Sequence, residues 1–226
     1  MSNFVTKLKA FTLAEVLITL GIIGVVAAMT IPNLIANVKD KRTYTQLKAT
    51  QSILSNAVRL AEEEYGDMSG WDVEMKSNEK DAKAIAKVLR QFLKIATDCS
   101  TYDEKGLCIP AAKYMLLNGN PHGEYYNNRN YYKISLLNGS SIWWRSATQD
   151  EYKNNDRVAV FWTDLNGAKA PNQVGRDLFI FNYEKGSLRV QGAPGYHEAG
   201  TCKLNDTGWG CSYFVLTHGH MKYPKN

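Results

Sequence analysis

The four cysteines of this chain are the residues whose type and spacing most directly suggest chemistry. They form two close pairs, Cys99 with Cys108 and Cys202 with Cys211. An even number of cysteines in close pairs is typical of disulfides that form in an oxidising compartment. A four-cysteine zinc site favours gaps of about two to four residues within each pair, and both gaps here are longer. Disulfides are therefore the favoured interpretation, with reduced core cysteines as the alternative for a cytoplasmic domain.

The second candidate site is a loop rich in oxygen-bearing side chains, DLNGAKAPNQVGRD at residues 164–177. Asp164 and Asn166 stand at alternate positions before Gly167, as oxygen ligands do in calcium loops, and Asp177 would complete the set. A full EF-hand also needs a third side-chain ligand and a terminal glutamate at fixed spacing, which this loop lacks. Because Asn-Gly and Pro-Asn are ordinary turn formers, a structural connection between two strands is the favoured interpretation.

Motifs of common enzyme families are absent from the sequence, which contains no GxSxG, HExxH, P-loop or GxGxxG. Trp143 and Trp144 could hold a carbohydrate or a lipid headgroup, although core packing is the favoured interpretation. Adjacent residues of a strand point to opposite faces, which predicts that one of these tryptophans is buried and the other exposed. The formal net charge of +5 is too small to imply a nucleic-acid partner. We therefore expect a protein that is not an enzyme and binds no nucleic acid.

An apolar segment near the N-terminus determines where these candidate sites lie in the cell. The 23 residues from Val16 to Val38 carry no formal charge and would span about 34 Å as a helix. This length suffices for a bilayer core of about 30 Å. Lys7 and Lys9 precede the segment without an acidic residue, and basic flanks tend to stay in the cytoplasm. We therefore predict a single-pass membrane protein with an exported domain, and one disulfide within each cysteine pair.

The remainder of the chain predicts an α+β domain, for which 226 residues leave enough room. Helical spacing of apolar residues continues beyond Pro32, which a membrane helix tolerates, to a stop signal at Gly66. A second helix is predicted from its N-cap, Asn78, to near Thr97. Asn138-Gly139 is a strong hairpin signal, and sequential hairpins imply an antiparallel sheet. The predicted strands are YYKISLL, SSIWWR, RVAVFWT, DLFIFNY and LRVQG.

The segment AFTLAEVLITLGIIGVVAAMTIPNL, residues 10–34, closely resembles the N-terminal segment of prepilin-like proteins, the type IV pilins and the pseudopilins of type II secretion systems. In that family a prepilin peptidase removes a short basic leader before a phenylalanine, and the new amino terminus is methylated. The resemblance places the cleavage between Ala10 and Phe11 and makes Glu15 the glutamate that guides assembly. Pro32 falls where the family often has a helix kink. The residue before the cleavage is usually glycine, and with alanine here we expect slower cleavage.

The resemblance implies a structural subunit of a type IV pilus-like or pseudopilus filament. Its partners would be like subunits, the prepilin peptidase and the inner-membrane assembly machinery, with the filament in the periplasm or on the cell surface. The implied segments are a leader (1–10), a transmembrane and assembly helix (11–38), the exterior half of that helix (39–66) and a globular pilin-like domain (67–226). Major pseudopilins bind calcium in a sheet loop, which strengthens the calcium interpretation of residues 164–177.

Two other classes of protein compete with the filament subunit. An ordinary secretory signal would be cut after Ala27 and would release a soluble periplasmic binding protein, but a carboxylate within the hydrophobic region argues against it. A permanent membrane anchor would carry an exported enzyme or adhesin domain, but no catalytic constellation is present. The mature N-terminus separates the three classes, because they predict Phe11, Ala28 and an unprocessed end respectively.

Overall fold

Residues 12–195 and 202–225 are described by the computed structural model of the chain. The predicted cleavage site between Ala10 and Phe11 therefore lies outside the described residues. The chain divides into two units, with the boundary between Asp40 and Lys41. The first unit holds the apolar half of the long N-terminal helix, and the second holds the rest of that helix together with the whole sheet.

Helix α1 runs without interruption from Leu13 to Tyr65 and continues through Pro32. It ends where Gly66 adopts a φ of +77°, a left-handed conformation that glycine tolerates. In the second unit one face of this helix is buried, with three- and four-residue spacing. Its buried residues are Thr43, Leu47, Thr50, Leu54, Ala57, Val58 and Ala61. This confirms the predicted continuation of the helix and its predicted stop.

Helix α2 spans Glu79–Leu89 and is followed by a short 3-10 turn, Arg90–Phe92. Its predicted N-cap is confirmed, because the Asn78 side chain accepts a hydrogen bond of 2.8 Å from the backbone N–H three residues on. The predicted end near Thr97 is wrong. Residues Ile95–Ser100 form the edge strand β1 instead, and its pairing with the next strand overrides the local helical pattern.

The sheet has six antiparallel strands whose spatial order, β1 to β6, is their order in the chain. The strands after β1 are β2 Tyr132–Leu136, β3 Ser141–Ser146, β4 Arg157–Asp164, β5 Leu178–Glu184 and β6 Ser187–Val190. The predicted hairpins β2–β3 and β5–β6 are confirmed. Two short helices that the sequence analysis did not predict are α3, Gln149–Asn155, and α4, Cys211–His218. The α+β fold class is confirmed.

Both faces of the sheet are covered. Trp144 lies on the α2 side, where its indole N–H donates to the Ala82 carbonyl at 3.1 Å. Trp143 packs on the other face, with its ring centroid 5.5 Å from that of Tyr114 and 5.4 Å from that of Tyr125. Both tryptophans are fully buried, so the expectation that one would be exposed is wrong. The long connection between β1 and β2 supplies the aromatic side chains that cover the second face.

Both predicted disulfides are present, Cys99–Cys108 and Cys202–Cys211. The first joins β1 to the connection that follows it, and the second joins the first residue of α4 to the segment before that helix. The zinc-site and reduced-thiol interpretations are therefore excluded for these four cysteines.

Candidate functional site

Thr12 and Glu15 form a reciprocal capping box at the start of α1. The Glu15 N–H donates to Thr12 Oγ1 at 3.2 Å, and Glu15 Oε2 accepts from the Thr12 N–H at 2.8 Å and from its hydroxyl at 2.9 Å. In this pattern an N-cap threonine and a glutamate three residues on satisfy each other's backbone donors. The carboxylate also lies at the positive end of the helix dipole. Glu15 thus has a structural role in its own chain, which the sequence analysis missed although Thr-x-x-Glu signals it.

The apolar segment that follows Glu15 is exposed on every side of the helix. Most of its large side chains are more than half exposed, among them Leu17, Ile18, Leu20, Ile22, Ile23 and Val25. Thr19 and Thr30 donate their hydroxyls to the carbonyls of Val16 and Val26, each at 2.9 Å, so these hydroxyls need no water. By length and composition the helix is able to cross a membrane. Such a surface is compatible with an apolar environment, either lipid or the apolar helices of other molecules.

The 164–177 loop connects β4 to β5 and brings its two aspartates into one polar cluster. Asp164 ends β4, and its Oδ2 accepts a hydrogen bond of 2.6 Å from the Tyr114 hydroxyl. Asp177 precedes β5, and its carboxylate accepts from two consecutive backbone N–H groups, beginning with Asn172, at 2.8 and 2.7 Å. The loop backbone therefore surrounds one carboxylate, and a phenol caps the other.

Burial controls the electrostatics of this cluster. It raises the pKa of Asp164 well above its usual range, and the negative charge of Asp177 adds to the effect. Burial also raises the pKa of Asp177, against the lowering effect of its backbone hydrogen bonds. The pKa of Tyr114 is raised as well, first by burial and then by the charge of Asp164. The largest effects on the pKa values of the two aspartates are burial, hydrogen bonds and, for Asp164, the charge of Asp177, and none of these comes from a described cation.

Two asparagine side chains of the loop have buried oxygens without partners among the described residues. Asn166 Nδ2 donates to the Ala170 carbonyl at 3.1 Å and to Asp177 Oδ2 at 3.3 Å, whereas its Oδ1 is buried and accepts nothing. Asn172 Oδ1 is likewise buried and unpaired. The nitrogen and oxygen of an amide side chain are assigned from the hydrogen-bond network. If the Asn166 amide were flipped, its oxygen would face the Ala170 carbonyl oxygen and Asp177 Oδ2, so that three oxygens would converge.

This set of donors fits a hard cation, since carboxylate, amide and carbonyl oxygens are the ligands that calcium prefers. A cation would also lower the raised pKa values of both carboxyl groups. The three residues named from the sequence, Asp164, Asn166 and Asp177, do lie together. Asn172 was missed although it is an oxygen-bearing side chain of the same loop. Tyr114 lies 50 residues before Asp164, and no local pattern links the two.

One further group of metal-ligating residue types lies close together in the described part of the chain, namely Cys99, Asp103 and Cys108. The two cysteines form a disulfide and therefore offer no thiolate. Asp103 accepts hydrogen bonds of 2.7 to 3.0 Å from the backbone N–H groups of Leu107, Cys108 and Ile109. This group fixes the loop closed by the first disulfide and is not a metal centre.

Comparison with protein families matches residues 33–211 to one described as a family of unknown function, DUF6613. The matched range spans most of the chain. The protein belongs to this family. Comparisons with curated proteins and with solved structures give no match. In this DUF6613 member the matched range includes both disulfides and the 164–177 loop, and it begins beyond Glu15.

Proposed function

We propose that this protein is a non-enzymatic structural subunit of a type IV pilus-like or type II secretion pseudopilus filament. The observation that carries the proposal is an apolar helical segment exposed on all sides, with one capped carboxylate, Glu15, at its start. A helix of this kind suits a lipid bilayer before assembly and the apolar helices of neighbouring subunits afterwards. The resemblance of residues 10–34 to prepilin-like segments supports the same function.

In this proposal residues 11–38 cross the inner membrane once, with the N-terminus in the cytoplasm and residues 67–226 exported. The two disulfides agree with an oxidising compartment for that domain. A prepilin peptidase removes residues 1–10, and the inner-membrane assembly machinery adds the subunit to a filament in the periplasm or on the cell surface. The partners within the filament are further copies of this chain or related subunits.

The charge of Glu15 has a role in assembly under this proposal because it is costly in a membrane. At the bilayer centre a carboxylate costs about 2.5 to 3.5 kcal/mol on insertion scales. Cleavage after Ala10 creates a cationic amine on Phe11, about one helical turn away from the carboxylate. In a helix bundle the amine of one subunit attracts the Glu15 of another, and a shifted register leaves both charges unpaired. The pair therefore selects the register of assembly.

Because Glu15 also caps its own helix, the test must separate its charge from its cap. Glutamine can replace glutamate in a capping box, so Glu15→Gln keeps the cap and removes the charge, whereas Glu15→Ala removes both. Each variant is expressed in cells that lack the wild-type copy. The control is Glu104→Gln, at an exposed carboxylate of the sheet-bearing unit. Sheared filaments and secreted cargo are measured, together with membrane insertion and leader cleavage.

We expect both Glu15 variants to insert, to be cleaved and to fold the exported domain, but not to enter filaments or support secretion. Glu104→Gln should assemble normally. Normal assembly of Glu15→Gln would contradict the charge-pairing role and leave only the cap. A wild-type protein that enters no filament and supports no secretion in its own cells would contradict the proposed function itself.

A further inference from the structure

A single phenol contacts two carboxylates at the end of α1. The Tyr183 hydroxyl of β5 hydrogen-bonds to Glu62 in the last turns of the helix, and it lies 2.6 Å from Oδ2 of Asp67, which follows the helix. Tyr183 is fully buried and Glu62 is partly buried. All three residues belong to the second unit, so the contact links the end of α1 to the sheet.

These contacts need one more proton than the phenol supplies. A tyrosine hydroxyl donates a single hydrogen bond, so only one of the two carboxylates can receive it. The other contact needs a carboxylic acid O–H that donates to the phenol oxygen. Asp67 also accepts hydrogen bonds from the backbone N–H and the hydroxyl of Ser69, at 2.8 and 2.6 Å, which favour its ionised form. The extra proton therefore belongs on Glu62.

The end of α1 also favours a protonated Glu62. Glu62, Glu63 and Glu64 are consecutive near the C-terminus of the helix, where the helix dipole disfavours negative charge, and the last turn has no basic residue. Arg59 forms an ion pair with Glu63 at 2.5 Å. Neutralising Glu62 relieves this accumulation of negative charge.

The groups that face Glu62 from other elements act in the same direction overall. Burial raises the pKa of Glu62 and the charge of Asp67 adds to this, and together they outweigh the lowering effect that the Tyr183 hydroxyl would have if it donated to Glu62 and not to Asp67. Burial also acts to raise the pKa of Asp67, but its hydrogen bonds from Ser69 and Tyr183 outweigh burial and lower it. In the β5–β6 turn, Gly186 lies beside Asp67, and the preceding residue, Lys185, is exposed.

We propose that a proton shared by Glu62, Tyr183 and Asp67 fastens the end of α1 to the sheet, and that a rise in pH releases it. An acid whose pKa is higher in the folded than in the unfolded protein stabilises the fold fully below its unfolded value, about 4.3 for glutamate. This stabilisation is lost as the pH rises through the folded value. Between the pKa of the unfolded protein and that of the folded protein, each pH unit lowers the folding equilibrium constant by up to about tenfold. The switch does not depend on the proposed filament function.

The test measures thermal unfolding of the full-length chain in mild detergent from about pH 4 to about pH 8, the range in which glutamates titrate. We expect the wild-type Tm to fall as the pH rises, by up to about 3 to 5 °C per pH unit between the unfolded and folded pKa values. Glu62→Gln should flatten this part of the profile. Glu63→Gln removes a neighbouring carboxylate outside the shared contact and should keep the wild-type slope. Equal slopes in Glu62→Gln and the wild type would overturn the proposal.

Carboxyl-carbon NMR of the same samples gives a second readout that does not depend on the stability of a variant. The resonance that disappears in Glu62→Gln identifies Glu62, and we expect it to titrate above about 4.3. Asp67→Asn should lower its midpoint, because the negative charge that helps to raise the pKa of Glu62 is removed. A wild-type midpoint at or below about 4.3 would overturn the proposal.

Discussion

At the level of single residues, Asp164 is the side chain whose replacement separates the two interpretations of the 164–177 loop. Calcium binding there stays a prediction, in which excess chelator lowers the wild-type Tm. Asparagine has nearly the shape of aspartate and keeps one acceptor oxygen, but it lacks the charge that a cation needs. Asp164→Asn should therefore abolish the difference between calcium and chelator. With chelator the variant no longer has a buried charge beside Asp177, but it keeps only one acceptor where Asp164 accepts both the Tyr114 hydroxyl and the N–H of Asn166. The response to calcium is therefore compared, and not the absolute Tm.

Melting curves in excess calcium and in excess chelator measure this response in the wild type and in Asp164→Asn. The matched control is Asp150→Asn, an exposed carboxylate in the first turn of α3, which should keep the full response to calcium. Identical wild-type curves under the two conditions would leave the loop as a structural connection between β4 and β5.

At the level of elements, a buried lysine joins β2 to the connection that precedes it. Lys133 is fully buried, and its Nζ donates to the carbonyls of Thr101, Asn128 and Tyr131 at 2.7 to 2.9 Å. Burial lowers the pKa of Lys133 to about 8, against a raising effect of the charge of Asp103. Since the unfolded value is about 10.4, the unfolded chain binds more protons between these two values. The stability of the wild type should therefore gain a contribution that rises with pH across this range.

Replacing Lys133 with methionine should remove that rising contribution. Denaturant unfolding of the full-length chain from about pH 7.5 to about pH 10.5 brackets the two pKa values and measures the slope. The slope is compared, and not the absolute stability, because three carbonyls lose their donor in the variant. Lys113→Met, at an exposed lysine, should keep the wild-type slope. If Lys133→Met and the wild type showed the same slope, another group would be responsible for it.

The elements that the sequence predicted correctly are those whose signals are local. Gly66 and Asn138-Gly139 fix a helix end and a hairpin turn through the conformations of one or two residues. The end of α2 was placed too late because Ile95–Ser100 is extended only through its pairing with β2. Helix α3 was missed because it is short and lacks apolar periodicity, although Thr148 and Glu151 form a capping box at its start.

The candidate sites follow the same division between local and distant signals. Both disulfides and the oxygen-bearing residues of the 164–177 loop are close in sequence, and close spacing was enough to group them. The bond from Tyr114 to Asp164 and the burial of Trp143 depend on the connection between β1 and β2 folding over the sheet. No periodicity in that connection specifies its path, so the bond from Tyr114 could not be predicted, nor could the burial of Trp143 together with Trp144.

At the level of the whole molecule, proteolytic processing distinguishes the filament subunit from its rivals. We expect protein extracted from membranes to lack residues 1–10 and to begin with N-methylated Phe11, because residues 10–34 resemble a prepilin segment. Intact-mass measurement checks this, with cells that lack the prepilin peptidase as the control. Ala10→Gly restores the usual residue and should be cleaved at least as fast. A mature chain that began at Ala28, or an uncleaved chain beside an active peptidase, would contradict the prediction.

The strands of the sheet have the same order in space as in the chain. Each strand therefore pairs with the strand that precedes it in the chain. Contacts between neighbouring hairpin strands have short sequence separations, and a low contact order favours rapid folding. A chain delivered from its N-terminal side can complete the β2–β3 hairpin before β5 is available. Helix α4 follows all six strands in the chain, and its Ser212 hydroxyl accepts a hydrogen bond of 2.8 Å from the N–H of Ile180, 32 residues earlier. The topology therefore lets the sheet grow by pairing of successive neighbours in the chain, with the last helix packing on a strand that precedes it.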